Sequence, residues 1–432
     1  MSNRSWGIPF VVAIGVVVAC DHEWSSATVV TTAAAPDGGA AAGALADEDA
    51  GSPAVGDAGP PGPVLEHHNR ATRDGLYIVP GLTRAAAARM HQVDSFDGRF
   101  SGLVNAQPLY VPGPDGDGAF FVATASNDVI AFDEATGEVL WKTNFGPPAT
   151  HLGEGCGGSR LGIGGTPVID LATGTLYVNS IASADDGLGG RVVQTQLVHA
   201  LSIADGSERS GWPVDASAVR TIGGFDPEVA YQRGALALVN GMLFVPYGSQ
   251  GDCGAYHGTV MAIDVADPDR ISAWWSPAPQ AGIWATSGVA SDGANVFFAT
   301  GNGTPLDRDA GTWGGGEALF RFHAGPLSDE PDDYYVAPEW QQLDLGDWDF
   351  GGSGALLVVE PQSSPSTLAI ALGKDGNVYL IDALDMDGQA IGAGVPFLRQ
   401  VATKNIVTAP AAVPNARGTM VIFDAQSGAV GV

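Results

Sequence analysis

The chain has 432 residues, among them 61 glycines and only three lysines (Lys142, Lys374, Lys404), and its formal net charge is −29. That balance argues against nucleic acid and against an anionic membrane face as partners, since Coulomb repulsion opposes both. Solubility, or a preference for cationic and metal-bearing ligands, is what it leaves.

The first twenty residues read as an export segment. Arg4 supplies a positive n-region, and the apolar stretch from Trp6 to Val18, interrupted by Pro9, is too short to span a bilayer. It ends Val17-Val18-Ala19-Cys20, which resembles a bacterial lipobox. The resemblance implies acylation of Cys20 and a lipid-anchored protein of the periplasm or outer surface; an ordinary signal peptide is the alternative. Residues 21–75 then read as a disordered linker. Over most of that range the chain is Ala, Gly, Asp and Pro with few aromatics, too little apolar surface to offset the entropy of ordering it. Beyond Cys20 only Cys156 and Cys253 remain, and in an exported protein two cysteines suggest one disulfide, although spacing does not show that they meet.

The folded body is expected over residues 76–432, and it repeats one phrase. Val129-Ile-Ala-Phe-Asp133-Glu-Ala-Thr-Gly137-Glu-Val-Leu-Trp141 is an alternating strand, a turn and a return toward tryptophan. The design recurs at His199 to Gly206 with Trp212, at Met261 to Asp264 with Trp274 and Trp275, at Val378 to Asp382 and at Val421 to Gly428. Asp caps such a turn, Gly takes the positive φ, and Trp buries a ring between neighbouring units. Units at this spacing, each a small antiparallel sheet, predict an all-β fold: a β-propeller of six to eight four-stranded blades. The repeat residues are therefore read as structural.

These repeats resemble the pyrroloquinoline-quinone (PQQ)-like repeat propellers, the fold of the quinoprotein alcohol dehydrogenases, over roughly residues 100 to 430. Val104-Asn-Ala-Gln-Pro-Leu-Tyr and Lys374-Asp-Gly-Asn-Val-Tyr-Leu look most like exported members of uncharacterised function. In the enzymes a Trp ring lies under the quinone and an Asn ligates calcium. Trp284, and Asn302 in Ala299-Thr-Gly-Asn302, match in type and spacing, so the resemblance implies PQQ and calcium as cofactors. The match is incomplete. Where the enzymes carry a calcium-ligating Glu, this chain has Cys253, with Asp252 beside it as the substitute ligand. The catalytic Asp falls on Asp347 or Asp349 in Gly346-Asp-Trp-Asp349, one residue short of the pattern, and the adjacent-cysteine disulfide is missing. The expectation is a non-catalytic, lipid-anchored binding or scaffold module for an unknown protein or small molecule. Asp252, His257, Trp284, Asn302 and Asp349 would line its site. The alternative is a PQQ- and calcium-dependent dehydrogenase of alcohols or sugars with Asp347 or Asp349 as general base.

Overall fold

In the computed structural model the described residues are 26–28 and 62–431, less 80–81, 114–116, 154–159, 220–224, 306–310, 387–396, 401–404, 416–417 and 426–428. Cys20 and Cys156 lie outside them, as does the export segment.

Among the described residues the strands form six four-stranded sheets. In the first five, consecutive strands pair antiparallel in simple up-and-down order. Blade one runs through Leu109–Val111, Ala119–Ala123, Asp128–Asp133 and Val139–Asn144. Blade two is Val168–Asp170, Thr175–Asp185, Arg191–Ser202 and Val214–Asp215. Blade three is Ala237–Val239, Met242–Tyr247, Thr259–Asp264 and Ile271–Trp275. Blade four is Ala290–Ser291, Asn295–Ala299, Ala318–His323 and Asp333–Val336. Blade five is Leu356–Val359, Thr367–Leu372, Asn377–Asp382 and Phe397–Gln400. Blade six is Ala411–Asn415, Gly418–Ala425 and Ala429–Gly431, with Ser26–Thr28 added in parallel as its fourth strand. The predicted β-propeller is the fold that forms.

The repeated turns do what their residues dictate. Asp133 accepts the amides of Ala135 and Thr136 at 3.1 and 2.8 Å, and Gly137 takes φ 75°. Tryptophans pack between blades: Trp141 of blade one donates to Ile203 O of blade two at 2.9 Å, and Trp274 of blade three meets Phe298 and Phe320 of blade four. Apolar clusters accordingly bridge blades one and two, two and three, three and four, four and five, and five and six. Each joint turns two half-buried sheet faces into core, the energetic reason for such an array.

The hub corrects one reading of the sequence. Residues 62–75, assigned by composition to a disordered linker, are folded and thread the centre of the propeller. Val64 exchanges backbone hydrogen bonds with Tyr110 of blade one, and Leu65 O accepts Ile169 N–H of blade two. Ala71, Thr72 and Asp74 carbonyls accept from Ser291, Leu357 and Ala412 on the leading strands of blades four, five and six at 2.7–2.8 Å. Arg73 completes the set. Its guanidinium, fully buried, donates to Leu236 O beside blade three, to Val289 O beside blade four, to His67 O and to the Glu66 carboxylate. The segment satisfies strand edges that would otherwise face one another across an open channel. His67 and His68, which fall in the stretch assigned to the linker, stack at 4.3 Å inside this hub, and burial drives the pKa of His67 well below the ordinary value.

Candidate functional site

Strand order places the site. In an up-and-down blade, the loops between second and third strands and the links into each next blade emerge on one face. Asp252 and Tyr256 lie in the second-to-third loop of blade three, Asn302 in that of blade four and Lys374 in that of blade five. Arg233, Trp284 and Asp349 sit in links leading into blades three, four and five. All seven share one face.

Backbone packing brings these loops together. Gln280 N–H donates to Tyr256 O at 2.6 Å, Ala281 N–H to Asn302 O at 2.8 Å, and Gly301 N–H to Gly282 O at 3.0 Å. Glycines permit the approach. A Cβ on Gly301 would lie 2.1 Å from Asp349 Oδ1 and 2.6 Å from Trp284 Nε1, and one on Gly248 would touch Trp284 Cβ at 3.4 Å.

Asp349 is the centre. It is 1% exposed; its Oδ1 accepts the Asn302 backbone N–H at 2.7 Å and the Trp284 indole N–H at 3.3 Å. Its Oδ2 accepts no aligned hydrogen bond but forms an ion pair with the Lys374 ammonium, which also bonds Asp347 Oδ1 at 2.8 Å. Burial raises the Asp349 pKa, with the Lys374 ammonium opposing it. Burial disfavours the charge on Lys374, but the carboxylates of Asp347 and Asp349 override it and its pKa rises. Lys374 Nζ lies 5.1 Å from the Trp284 ring centroid and Arg233 Cζ 5.4 Å from it. Two cations over one indole make a cation–π cluster beside a buried acid.

The candidates from sequence therefore divide. Trp284, Asn302 and Asp349 converge, although Asn302 meets Asp349 through its backbone and not its side chain. Asp347 sits at the rim, two-thirds exposed, and takes the left-handed φ of 51° that closes the helix Trp340–Gly346. Asp252 (φ 53°) accepts the Tyr256 hydroxyl at 2.8 Å. Tyr256 in turn feels Asp252, Asp349 and Asp347, and burial with these charges keeps its phenol protonated. His257 instead approaches Ser276 O at 2.7 Å. Cys253 is buried and disulfide-bonded, beside Leu152 and Leu161. Sequence reading missed Lys374, Arg233, Tyr256, Glu317 and Asp344 as site residues. Only Lys374, one of three lysines, carried any local sign.

The fit to the cofactors that this fold implies is uneven. A planar, anionic quinone suits Trp284 with Lys374 and Arg233 above it. Calcium does not suit the donors. The thiol at the expected ligand position is tied in a disulfide, Asp349 spends its oxygens on Lys374 and two N–H groups, and among the described residues no group of three or more His, Cys, Asp or Glu could hold a metal ion.

No protein-family model and no curated protein matches the sequence. Solved structures match in shape. Quinohemoprotein alcohol dehydrogenase ADHIIG from Pseudomonas putida HK5 superimposes with a TM-score of 0.61 at 16% identity, over 84% of this chain and 57% of that one. The quinohemoprotein alcohol dehydrogenase of Comamonas testosteroni gives 0.55 at 16% identity, over 82% and 51%. A europium-containing methanol dehydrogenase gives 0.55 at 14%, over 78% and 59%. The chain thus spans little more than half the length of these structures, and at such identities the likeness concerns the fold alone: a β-propeller with the architecture that these dehydrogenases share.

Proposed function

We propose that this propeller is a non-catalytic binding module whose loop face takes a planar, anionic aromatic molecule of the pyrroloquinoline quinone class against Trp284. One observation carries the reading: Lys374 and Arg233 both lie over the Trp284 ring. An indole face offers stacking to a flat ligand, and the two cations offer charge-assisted bonds to its carboxylates. Catalysis is disfavoured because Asp349 is buried and its oxygens are engaged by Lys374, Trp284 and Asn302. A general base must reach the hydroxyl proton it removes. We further propose export and a lipid anchor at Cys20. The disulfide at Cys253 supports an oxidising compartment.

The second reading, a quinoprotein dehydrogenase, draws on the convergence of Trp284, Asn302 and Asp349 and on the fold's enzyme neighbours. Calorimetric titration of the whole chain with PQQ, with and without Ca²⁺ or Eu³⁺, separates the two. Metal-independent binding that is lost in Trp284→Ala and weakened in Lys374→Gln supports the binding module. Binding only with metal, followed by alcohol-dependent dye reduction, replaces it with the enzyme. No binding at either condition removes the quinone ligand and turns the search to protein partners.

A further inference from the structure

Glu317 is the other buried acid beside this site. It is 0% exposed, and its backbone stands at φ 55°, a region that strains any residue with a Cβ. Three hydrogen bonds hold it there. Its N–H donates to Gly301 O at 3.0 Å, its carbonyl accepts Ala337 N–H at 3.0 Å, and Oε2 accepts Phe350 N–H at 2.5 Å. One residue thereby ties the loop carrying Asn302, the start of the link after blade four, and the turn that carries Asp349.

Its charged surroundings are one-sided. Asp349, Asp344 and Asp375 all act on it, and Tyr256 across the site is held as the neutral phenol. The nearby ammonium of Lys374 is committed to Asp349 and Asp347, and among the described residues no cation pairs with Glu317. Oε1 has no hydrogen-bond partner among them either. An uncompensated carboxylate at such depth costs several kcal/mol, so the neutral acid is the favoured form. Burial, followed by repulsion from Asp349, accordingly lifts its pKa well above the ordinary range.

We infer that Glu317 is a positioning residue: its neutral carboxyl is a hydrogen-bonding peg that sets the Asp349–Phe350 turn, so that Asp349 faces Lys374 beside Trp284. The consequence for ligand affinity rests on the binding reading above; the consequence for Lys374 does not. A neutral acid and an amide are near-isosteres, so Glu317→Gln keeps the acceptor for Phe350 N–H while Glu317→Ala removes it.

With only three lysines in the chain, reductive ¹³C-methylation of the whole protein yields three sets of dimethyl-lysine resonances. The set from Lys374 is identified by its loss in Lys374→Arg. The expected result is an unchanged Lys374 resonance in Glu317→Gln and a displaced one in Glu317→Ala, with PQQ affinity falling roughly tenfold only in the latter, as loss of a buried hydrogen bond predicts. A Gln variant that moves the resonance as far as the Ala variant shows that the charge is required and overturns the proposal. An Ala variant that leaves it in place removes any positioning role. If Glu317→Ala does not fold, Glu317→Met, which keeps the side-chain volume and removes the acceptor, takes its place with the same two outcomes. If the wild-type chain binds no PQQ while the resonances behave as expected, the ligand reading falls and the positioning role stands.

Discussion

Lys374 and Asp349 form an ion pair in which the carboxylate is almost wholly buried, and the same ammonium stands over the Trp284 ring. The pair joins two loop systems, the link into blade five and the second-to-third loop of that blade, beside an indole that belongs to the link into blade four. Whatever binds over Trp284 meets a cation whose position is set from below by a buried acid. Stability and recognition are coupled at this point.

Removing the cation alone is the damaging change. Lys374→Met leaves Asp349 buried without a counter-charge and costs roughly 3 kcal/mol, the lower part of the range for breaking a buried pair. Asp349→Asn, which keeps an oxygen to accept the Asn302 and Trp284 N–H groups, costs less. The double variant recovers part of the loss of Lys374→Met. Urea midpoints of the four proteins form the double-mutant cycle, and purely additive losses contradict the pairing.

Asp344 gives the site a pH signature. It accepts the Gly303 N–H at 2.7 Å, and burial, against that bond, lifts its pKa to about 6. The folded state holds this proton more tightly than the unfolded chain does, so the stabilisation is complete below the ordinary carboxylate value of 3.8 and is lost as pH rises through about 6. Wild type is therefore expected to lose stability relative to Asp344→Asn between about pH 4 and 6, and to run parallel to it above 7. Chemical unfolding of both proteins at half-unit pH intervals measures the difference; a constant offset contradicts it.

Gly301 has no φ that demands glycine, yet there is no room for a methyl group between Asp349 Oδ1 and Trp284 Nε1. Gly301→Ala should leave the propeller folded at a cost of about 1–3 kcal/mol, as overpacking does. It should abolish the PQQ binding proposed above, because Asp349, Trp284 or both must move. Unchanged circular dichroism with unchanged affinity would show that the site sits elsewhere.

Much of the fold was legible because its rule is local. An aspartate that caps a turn and a glycine at positive φ act within a few residues, as Asp133 and Gly137 do, and the tryptophan that follows them at a fixed spacing, Trp141, packs onto the next blade as read. The site was legible in part for the opposite reason. Trp284, Asn302 and Asp349 came only through a resemblance, since no pattern of composition links positions 284 and 349. Lys374 reaches Asp349 across 25 residues, and its role depends on a turn that no local preference announces. Glu317 was invisible, because a glutamate before an apolar strand looks like surface. The hub was misread because the Ala, Gly and Pro composition was carried past its end near residue 61. Val64 and Arg73 beyond it are buried, Leu65 packs against the core of blades one and two, and Arg73 finds its carbonyl acceptors 163 and 216 positions away.

Arg73 is consequently the residue on which the centre of the propeller depends. Its guanidinium is fully buried and donates to three carbonyls and to Glu66. Arg73→Met fills similar volume but leaves the Leu236, Val289 and His67 carbonyls short of a donor and Glu66 without its partner. At about 1–3 kcal/mol for each buried group left unsatisfied, partly relieved by water, a loss of roughly 3–5 kcal/mol is expected. Arg73→Lys recovers little, because one ammonium cannot reproduce a planar fork that spans blades three and four. The loss should appear as earlier global melting together with faster amide exchange at Ser291, Leu357 and Ala412, whose N–H groups end on the 71–74 carbonyls. Exchange that quickens only at residues 62–75, with the three blade amides still protected, would mean that the blades hold one another without the hub segment.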